Sequence, residues 1–506
     1  METLNVNEGS TSAAQKAYKL LAQPTAPAYV NGFAAPGIES SRFFFETLLR
    51  YHLASLLVLV EQGLVPRPRG RRMASAFLQV LKEGYDALEI DPGLEDLQPN
   101  VEKAVVALIG AEDAGDVGIA RARAEFGHVA AHLALREQTL ATIRDQLALT
   151  RTILDLAARH VDTIVPYYTQ HMRAEPITFG YYFSSFAEAF VQNVRRMRGS
   201  FERYSRSPAG IGHIVPTPLP LDRRKIAQAI GLDDVVHHSL YGYLNSDVFV
   251  DTLGTASISA ATVSRLCLDF WWWSSNELEI FRFGDAWCGG SFIMPHKRNP
   301  SWLKALRFSA MAVKARHDEA QELWMHGAPM FLVGSLGIPA LTHAGLKSLR
   351  YCCELLGGSL ADLAIDAGRA REVAEKDFVQ SSQLVSMIVG RHQASWRQAE
   401  LVVGKFVKEA LDERRPARSL SLDRLLEIGR EVLGRTLVLD AKEFQRALEI
   451  EAIVHSRGDC GPAPSAVRKA IESQRAELAQ IDGWARAEEE RIAANWKDVE
   501  RRAAQI

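Results

Sequence analysis

From Ser41 onward the side chains Phe44, Leu48, Leu49, His52, Leu53, Leu56 and Leu57 recur every three or four positions, which predicts a helix with one buried face. Two much longer helical patterns follow, from about Phe126 to Tyr168 and from about Asp251 to Phe283, the second without proline. At 1.5 Å per residue, thirty residues span about 45 Å. Helices of that length in a soluble protein belong in an elongated bundle. In the second pattern Leu253, Ile258, Ala261, Val263, Leu266, Leu268 and Phe270 do not fit a single stripe, so that helix is expected to be covered on most sides. Trp271, Trp272 and Trp273 face different ways on such a helix and read as packing residues. No sustained period-two alternation appears, and the fold class expected is all-α. Residues 1 to about 40 read as an extended arm punctuated by Pro24, Pro27 and Pro36, with one short helix around Ala14 to Leu21. From Glu372 a smaller helical region follows. The end, Arg475 to Ile506, is rich in Ala, Glu and Arg and predicts an added amphipathic helix.

Composition narrows the function. At 506 residues the chain is long enough for two or three domains. With 59 Lys and Arg against 61 Asp and Glu the net charge is -2, so no global basic surface points to nucleic acid. Five scattered cysteines without CxxC spacing fit reduced thiols in a cytoplasmic protein and no zinc framework. No signal-peptide pattern and no apolar run of membrane-spanning length is read. The basic stretch Pro66 to Arg72 reads as a solvated turn. His237 and His238 are adjacent rather than i,i+4 and suggest no metal site. Gly210 and Gly212 form a GxG without a preceding strand or third glycine, a weak nucleotide signal.

The strongest chemical signal is Gly289-Gly290-Ser291-Phe292-Ile293-Met294-Pro295-His296-Lys297-Arg298-Asn299-Pro300. Glycines permit close backbone approach. Lys297 brings a point charge, Asn299 brings amide donors, and Pro300 suits the first position of the following helix. A loop carrying its own cation into a helix N-terminus is suited to an anion. The string resembles the signature GSSxMPxKxNP of the fumarase/aspartase superfamily, with Phe292 in place of the second serine. Other segments resemble the argininosuccinate lyase branch. Glu95 to Glu102 is similar to EDVHxxIE, with Gln98 at the histidine position. Gly115 to Glu125 takes the place of HTGRSRND. There Arg121 and Arg123 are kept, but Ala122 and Ala124 replace a serine and an asparagine. Thr169 to Pro176 is similar to THxQxAxP, with Gln170 at the histidine position and His171 one residue later. Ser207 to Arg223 is similar to SPLGSGALAGTxLPIDR. Gly327 to Ser335 replaces a YNKDLQEDK-like loop with an apolar one.

The resemblance implies a three-domain fold, divided at 1–124, 125–370 and 371–506, with the signature loop on the central long-helix bundle. It implies a cytoplasmic homotetramer acting on a small dicarboxylate, with no cofactor, nucleic acid or membrane. The activity implied is anti elimination, or the reverse addition, through an aci-carboxylate. An N-substituted aspartate or related succinyl compound fits best, releasing fumarate by carbon–nitrogen cleavage. By resemblance Ser291 is the base. Thr169, Gln170, Arg121, Arg123, Met294, Lys297 and Asn299 bind substrate. His171 is read either as a displaced acid/base or as an ordinary loop histidine, and His128 and His213 are the other candidates for the general acid. Two alternatives stand beside this. One is a lyase releasing a small group such as ammonia or nitrite, or a muconate-type cycloisomerase. The other is a non-catalytic structural homologue, raised by the changes at Gln98, Ala122, Ala124 and Gln170.

Overall fold

The computed structural model describes residues 25–325 and 331–506, the side chains of 331–336 and 418 excepted. The short helix expected at Ala14 to Leu21 lies outside the described residues, as does 327–330 of the apolar loop. The fold is all-α, as expected. Its main helices are α1 Phe45–Glu61, α2 Arg67–Glu83, α3 Leu97–Ile109, α4 Arg123–Arg159, α5 Phe179–Arg203, α6 Asp247–Trp273, α7 Ser301–Met325 and α8 Phe331–Ala361. Four shorter helices follow: α9 Ser381–Gly390, α10 Trp396–Asp412, α11 Leu422–Leu433 and α12 Ala441–Leu448. The last is α13, Pro464–Ala503. Among the described residues the β-structure is limited to three two-stranded pairs and two isolated bridges.

Helices α4 to α8 pack on one another as an elongated bundle. Phe179, Phe183, Phe190, Phe270 and Trp273 fill it, all essentially without solvent contact. Trp273 is the buried member of the tryptophan triplet, edge-on to Phe179 and Tyr182 at 5.0 and 4.5 Å. A second apolar cluster joins α1, α2 and α3 to the first turns of α4. A third, around Val402, Phe406, Leu425 and Phe444, holds α9 to α12.

Both long patterns end earlier than periodicity suggests. Helix α4 stops at Arg159, and Ile164–Thr169 (β1) then pairs antiparallel with Met172–Thr178 (β2). The β-branched Ile164 and Val165 favour a strand, and Pro166 cannot donate inside a helix. The chain then re-enters the bundle at Gly180. A Cβ there would stand 2.6 Å from the Val161 Cα, so the close crossing needs glycine. Helix α6 stops at Trp273, where Ser274, Ser275 and Asn276 turn the chain before Phe281–Arg282 pairs with Ala364–Ile365.

The basic stretch is not a solvated turn. It opens α2, and its arginines are structural donors: Arg69 reaches Asp116 at 2.6 Å, Arg72 reaches Asp113 at 2.5 Å, and Arg67 and Arg71 both donate to the Ile506 carbonyl oxygen. Helix α13 begins before the expected Arg475 and runs 40 residues, about 60 Å. Its Val467, Ile471, Leu478 and Ile481 enter the bundle core, whereas Trp496, Val499 and Ala503 enter the second cluster. Arg144, Arg151 and Arg486 all pair with Asp482 of this helix. The run Pro27–Glu61 has the length and hydropathy of a membrane span, but 78% of its apolar window is buried within the fold.

Candidate active site

The signature loop is closed at its base. The backbones of Gly289 and Asn299 exchange both hydrogen bonds, at 2.8 and 2.9 Å. Neither Gly289 nor Gly290 adopts positive φ, so the freedom the sequence offers is not used that way. What Gly289 provides is room: a Cβ would stand 2.7 Å from the Ser301 Oγ. Helix α7 begins at Ser301, with Pro300 immediately before it rather than at its first position. Inside the loop the Met294 N–H donates to Ser291 Oγ at 3.2 Å, and the Lys297 N–H donates to the Met294 carbonyl at 3.0 Å.

The side chains of this loop divide sharply. Arg298 is fixed, donating to Asp285 and to the Phe283 carbonyl. Lys297 and Asn299 make no side-chain hydrogen bond or ion pair among the described residues, and Lys297 is exposed. Ser291 is half-buried, while Phe292 and Ile293 stand out into solvent. The loop therefore presents a hydroxyl already accepting one N–H, beside a cation and an amide with nothing to satisfy them.

The Thr169 motif forms the tip of the β1–β2 hairpin. Thr169 pairs with Met172, and Gln170 and His171 form the two-residue turn with φ of 53° and 61°. Two adjacent non-glycine residues in the left-handed region cost about 1 kcal/mol each or more. The His171 ring stands edge-on to Trp272 at 5.1 Å. Below the tip, Arg173 pairs with Asp377. Thr169, Gln170 and His171 are all exposed.

The two arginines of the third motif sit in quite different surroundings. Arg121 donates to the Val117 carbonyl at 2.9 Å, and its guanidinium lies over the Phe126 and Tyr51 rings at 4.7 and 5.6 Å. Arg123 pairs with Asp96 at 2.7 Å and Glu95 at 3.2 Å. Beside them is a group that sequence reasoning missed. Glu125 is fully buried and accepts from the Tyr51 hydroxyl at 2.6 Å and from the Gly210 and Gly212 N–H groups at 2.8 and 2.7 Å. Burial pushes its carboxyl above the usual range despite those donors. The GxG, with φ of 73° and 68°, thus cradles a carboxylate of its own chain rather than a nucleotide. Gln98 bonds His52 at 2.7 Å, and His52 is stacked between Phe77 and Phe126. A signal existed in the sequence: an acid in the first turn of a long helix, with a glycine pair elsewhere able to answer it.

Of the other histidines, His213 contacts the Tyr243 hydroxyl at 2.6 Å, and His128 is buried with its ring pKa held down to about 4 by burial. His238 caps the short helix Ser239–Leu244, and His237 reaches Asp234 at 3.3 Å. Within one chain, no described hydrogen bond or ion pair links the signature loop to the hairpin tip or to Arg121.

The family model described as "Lyase" matches residues 48–314, more than half of the chain. The chain belongs to this lyase family. The lyase is 28% identical over 468 residues to the argininosuccinate lyase of Methanoculleus marisnigri, covering 91% of this chain and 93% of that one. It is 27% identical to the argininosuccinate lyase of Methanothermobacter thermautotrophicus, over 85% and 92% of the two chains. Its fold is similar to an EDDS lyase variant with bound fumarate, at a TM-score of 0.83, 24% identity and coverage of 96% and 97%. It is also similar to the class II fumarase of Schistosoma mansoni, at 0.69, 15% identity and coverage of 81% and 90%. The resemblance carried by the signature loop, to the superfamily, and that carried by the other segments, to the argininosuccinate lyase branch, are therefore borne out, and the protein is a lyase.

Proposed function

We propose that this lyase cleaves a carbon–nitrogen bond in an N-substituted aspartate or related succinyl compound and releases fumarate by anti elimination. The observation that supports this reading most is the signature loop, where Ser291 accepts only the Met294 N–H and the Lys297 and Asn299 side chains have no partner among the described residues, while their neighbour Arg298 is fixed. Ser291 takes the proton from the carbon next to a carboxylate, and the amine leaves from the adjacent carbon. A serine is a poor base unless its alkoxide is stabilised. The Met294 N–H on its Oγ and the nearby Lys297 charge act in that direction. Lys297 and Asn299 then hold the aci-carboxylate, where preorganised donors contribute most. Thr169, Gln170 and Met294 bind the substrate, and His171 at the strained hairpin tip is the first candidate to protonate the leaving amine. Arg121 and Arg123 shape the pocket rather than meet substrate alone, since their chain already engages them. A small leaving group, such as ammonia, is the second reading, favoured by Ala122 and Ala124, which offer no side-chain polar group.

The site is completed by a homotetramer. Ile258, Ala261, Arg265 and Leu268 form one exposed stripe along α6, and Phe308 and Met311 are exposed on α7. Exposed apolar residues in that number suit an interface. A cytoplasmic location fits five unpaired cysteines. The test is spectroscopic. Purified enzyme with fumarate and a panel of amines, ammonia included, loses the ultraviolet absorbance of fumarate with the true partner. Retention with every amine counts against the carbon–nitrogen reading.

A further inference from the structure

A cavity of about 610 Å³ lies between the first turns of α4, the end of α5 and the start of α6. That is the size of a small-molecule site. None of Ser291, Lys297, Asn299, Thr169, Arg121 and Arg123 lines it. Its floor is a pair of histidines one turn apart on α4, His128 and His132, both buried. His132 Nε2 lies 3.0 Å from the Tyr204 carbonyl oxygen, which can only accept, so that nitrogen carries the proton. Among the described residues His128 has no hydrogen-bond partner, and its Nδ1 is wholly buried. A buried polar atom without a partner is costly and asks for an explanation.

The walls carry charge of both signs, but only one sign is spent. Asp247 accepts from the Tyr241 hydroxyl and from the Val248 N–H, each at 2.9 Å. Glu202 accepts from Arg198 at 3.1 Å. Of the lining cations, Arg203 reaches Asp251 only at 3.8 Å, and Arg206 makes no side-chain hydrogen bond or ion pair among the described residues. The histidines do not converge on a metal: among the described residues no group of three or more His, Cys, Asp or Glu is placed to hold one.

We propose that this cavity is a second binding site of the lyase, for a small molecule bearing a carboxylate or phosphate. Its anionic group sits between Arg203 and Arg206, and a further polar atom meets the His128 ring. Such a site does not depend on the chemistry proposed at the signature loop. The full-length protein is titrated calorimetrically with inorganic phosphate and, separately, with succinate. Both titrations are made in a Lys297→Met background, so that anion binding at the signature loop is suppressed. Saturable binding of at least one probe is expected, weakened about tenfold or more when Arg206→Gln is added, the loss of one charge-assisted hydrogen bond. His128→Phe, which removes the ring nitrogens but keeps an aromatic ring, weakens it as well. The probe that binds separates carboxylate from phosphate. No saturable binding of either probe, or binding that Arg206→Gln leaves unchanged, overturns the site.

Discussion

The signature loop and the loop around Arg121 and Arg123 are both legible as motifs, and both carry cations. Their physical states differ. In the first, Lys297 has no partner among the described residues and Arg298 beside it is bound to Asp285 and the Phe283 carbonyl. In the second, Arg121 lies on two rings and Arg123 on two carboxylates. A charge with an internal partner is already compensated, and a ligand must displace that partner to gain it. An uncompensated charge is available to a substrate at once. A motif match says which residues are present; the compensation around each says which of them can still act.

The largest effect is expected from Ser291→Ala. Its only described contact is the Met294 N–H, so folding and assembly persist while kcat falls about 10³-fold or more. Near-native kcat in that variant would remove the serine as base and make His171 the first suspect. Lys297→Met is expected to raise KM and lower kcat together, with kcat/KM down about 10²-fold. Arg298→Met sharpens the contrast: it lowers the melting temperature, with a smaller kinetic effect that follows from a loosened loop. Reversal of the two phenotypes would mean that compensation is a poor guide here.

The other region is expected to fail first in acid. His52 and His132 have ring pKa values lowered to about 3, and His128 to about 4, in each case chiefly by burial, from an ordinary 6.5. The fold therefore holds them neutral. Below about pH 6.5 the unfolded chain takes up protons that the folded chain refuses, so stability falls with pH. Each histidine contributes about 1.4 kcal/mol per pH unit to that loss. Glu125 works the other way, since its raised carboxyl takes a proton in the fold before it does in the unfolded chain, and it offsets part of the loss. Urea melts at neutral pH and in mild acid measure the slope. In His52→Gln it should flatten by about one third of what these three histidines contribute; an unchanged slope would show that His52 is not held neutral.

Much of this was readable beforehand, and the failures have physical causes. The helical bundle followed from the length of the two long helical patterns, and Leu253, Val263 and Leu266 of the second are all buried. The hairpin at Ile164 was hidden because two short strands lie at the end of a helix pattern that their own apolar residues prolong. The arginines of α2 were misread because their partners, Asp113, Asp116 and Ile506, are far along the chain, and pairing at that distance leaves no local trace. Glu125 escaped for the same reason: its donors come from Tyr51, Gly210 and Gly212. The positive φ of the second glycine pair and its absence in the first reverse what composition suggested, because glycine is chosen in one place for conformation and in the other for space.

The smallest effect tests where the two regions meet. Within one chain the hairpin tip and the signature loop share no described hydrogen bond or ion pair, while the stripe Ile258, Ala261, Arg265 and Leu268 and the exposed Phe308 and Met311 leave apolar surface to be covered. If a site draws Ser291 from one chain and Thr169 from another, two inactive variants hold complementary halves. Ser291→Ala and Thr169→Ala, mixed in equal amounts, dissociated and reassociated, would then place both native residues at roughly a quarter of the sites. Activity should recover toward that fraction of native, whereas either variant reassociated alone stays inactive. Mixed tetramers without recovered activity, or a monomer in sedimentation, would mean that Ser291 and Thr169 do not meet across subunits.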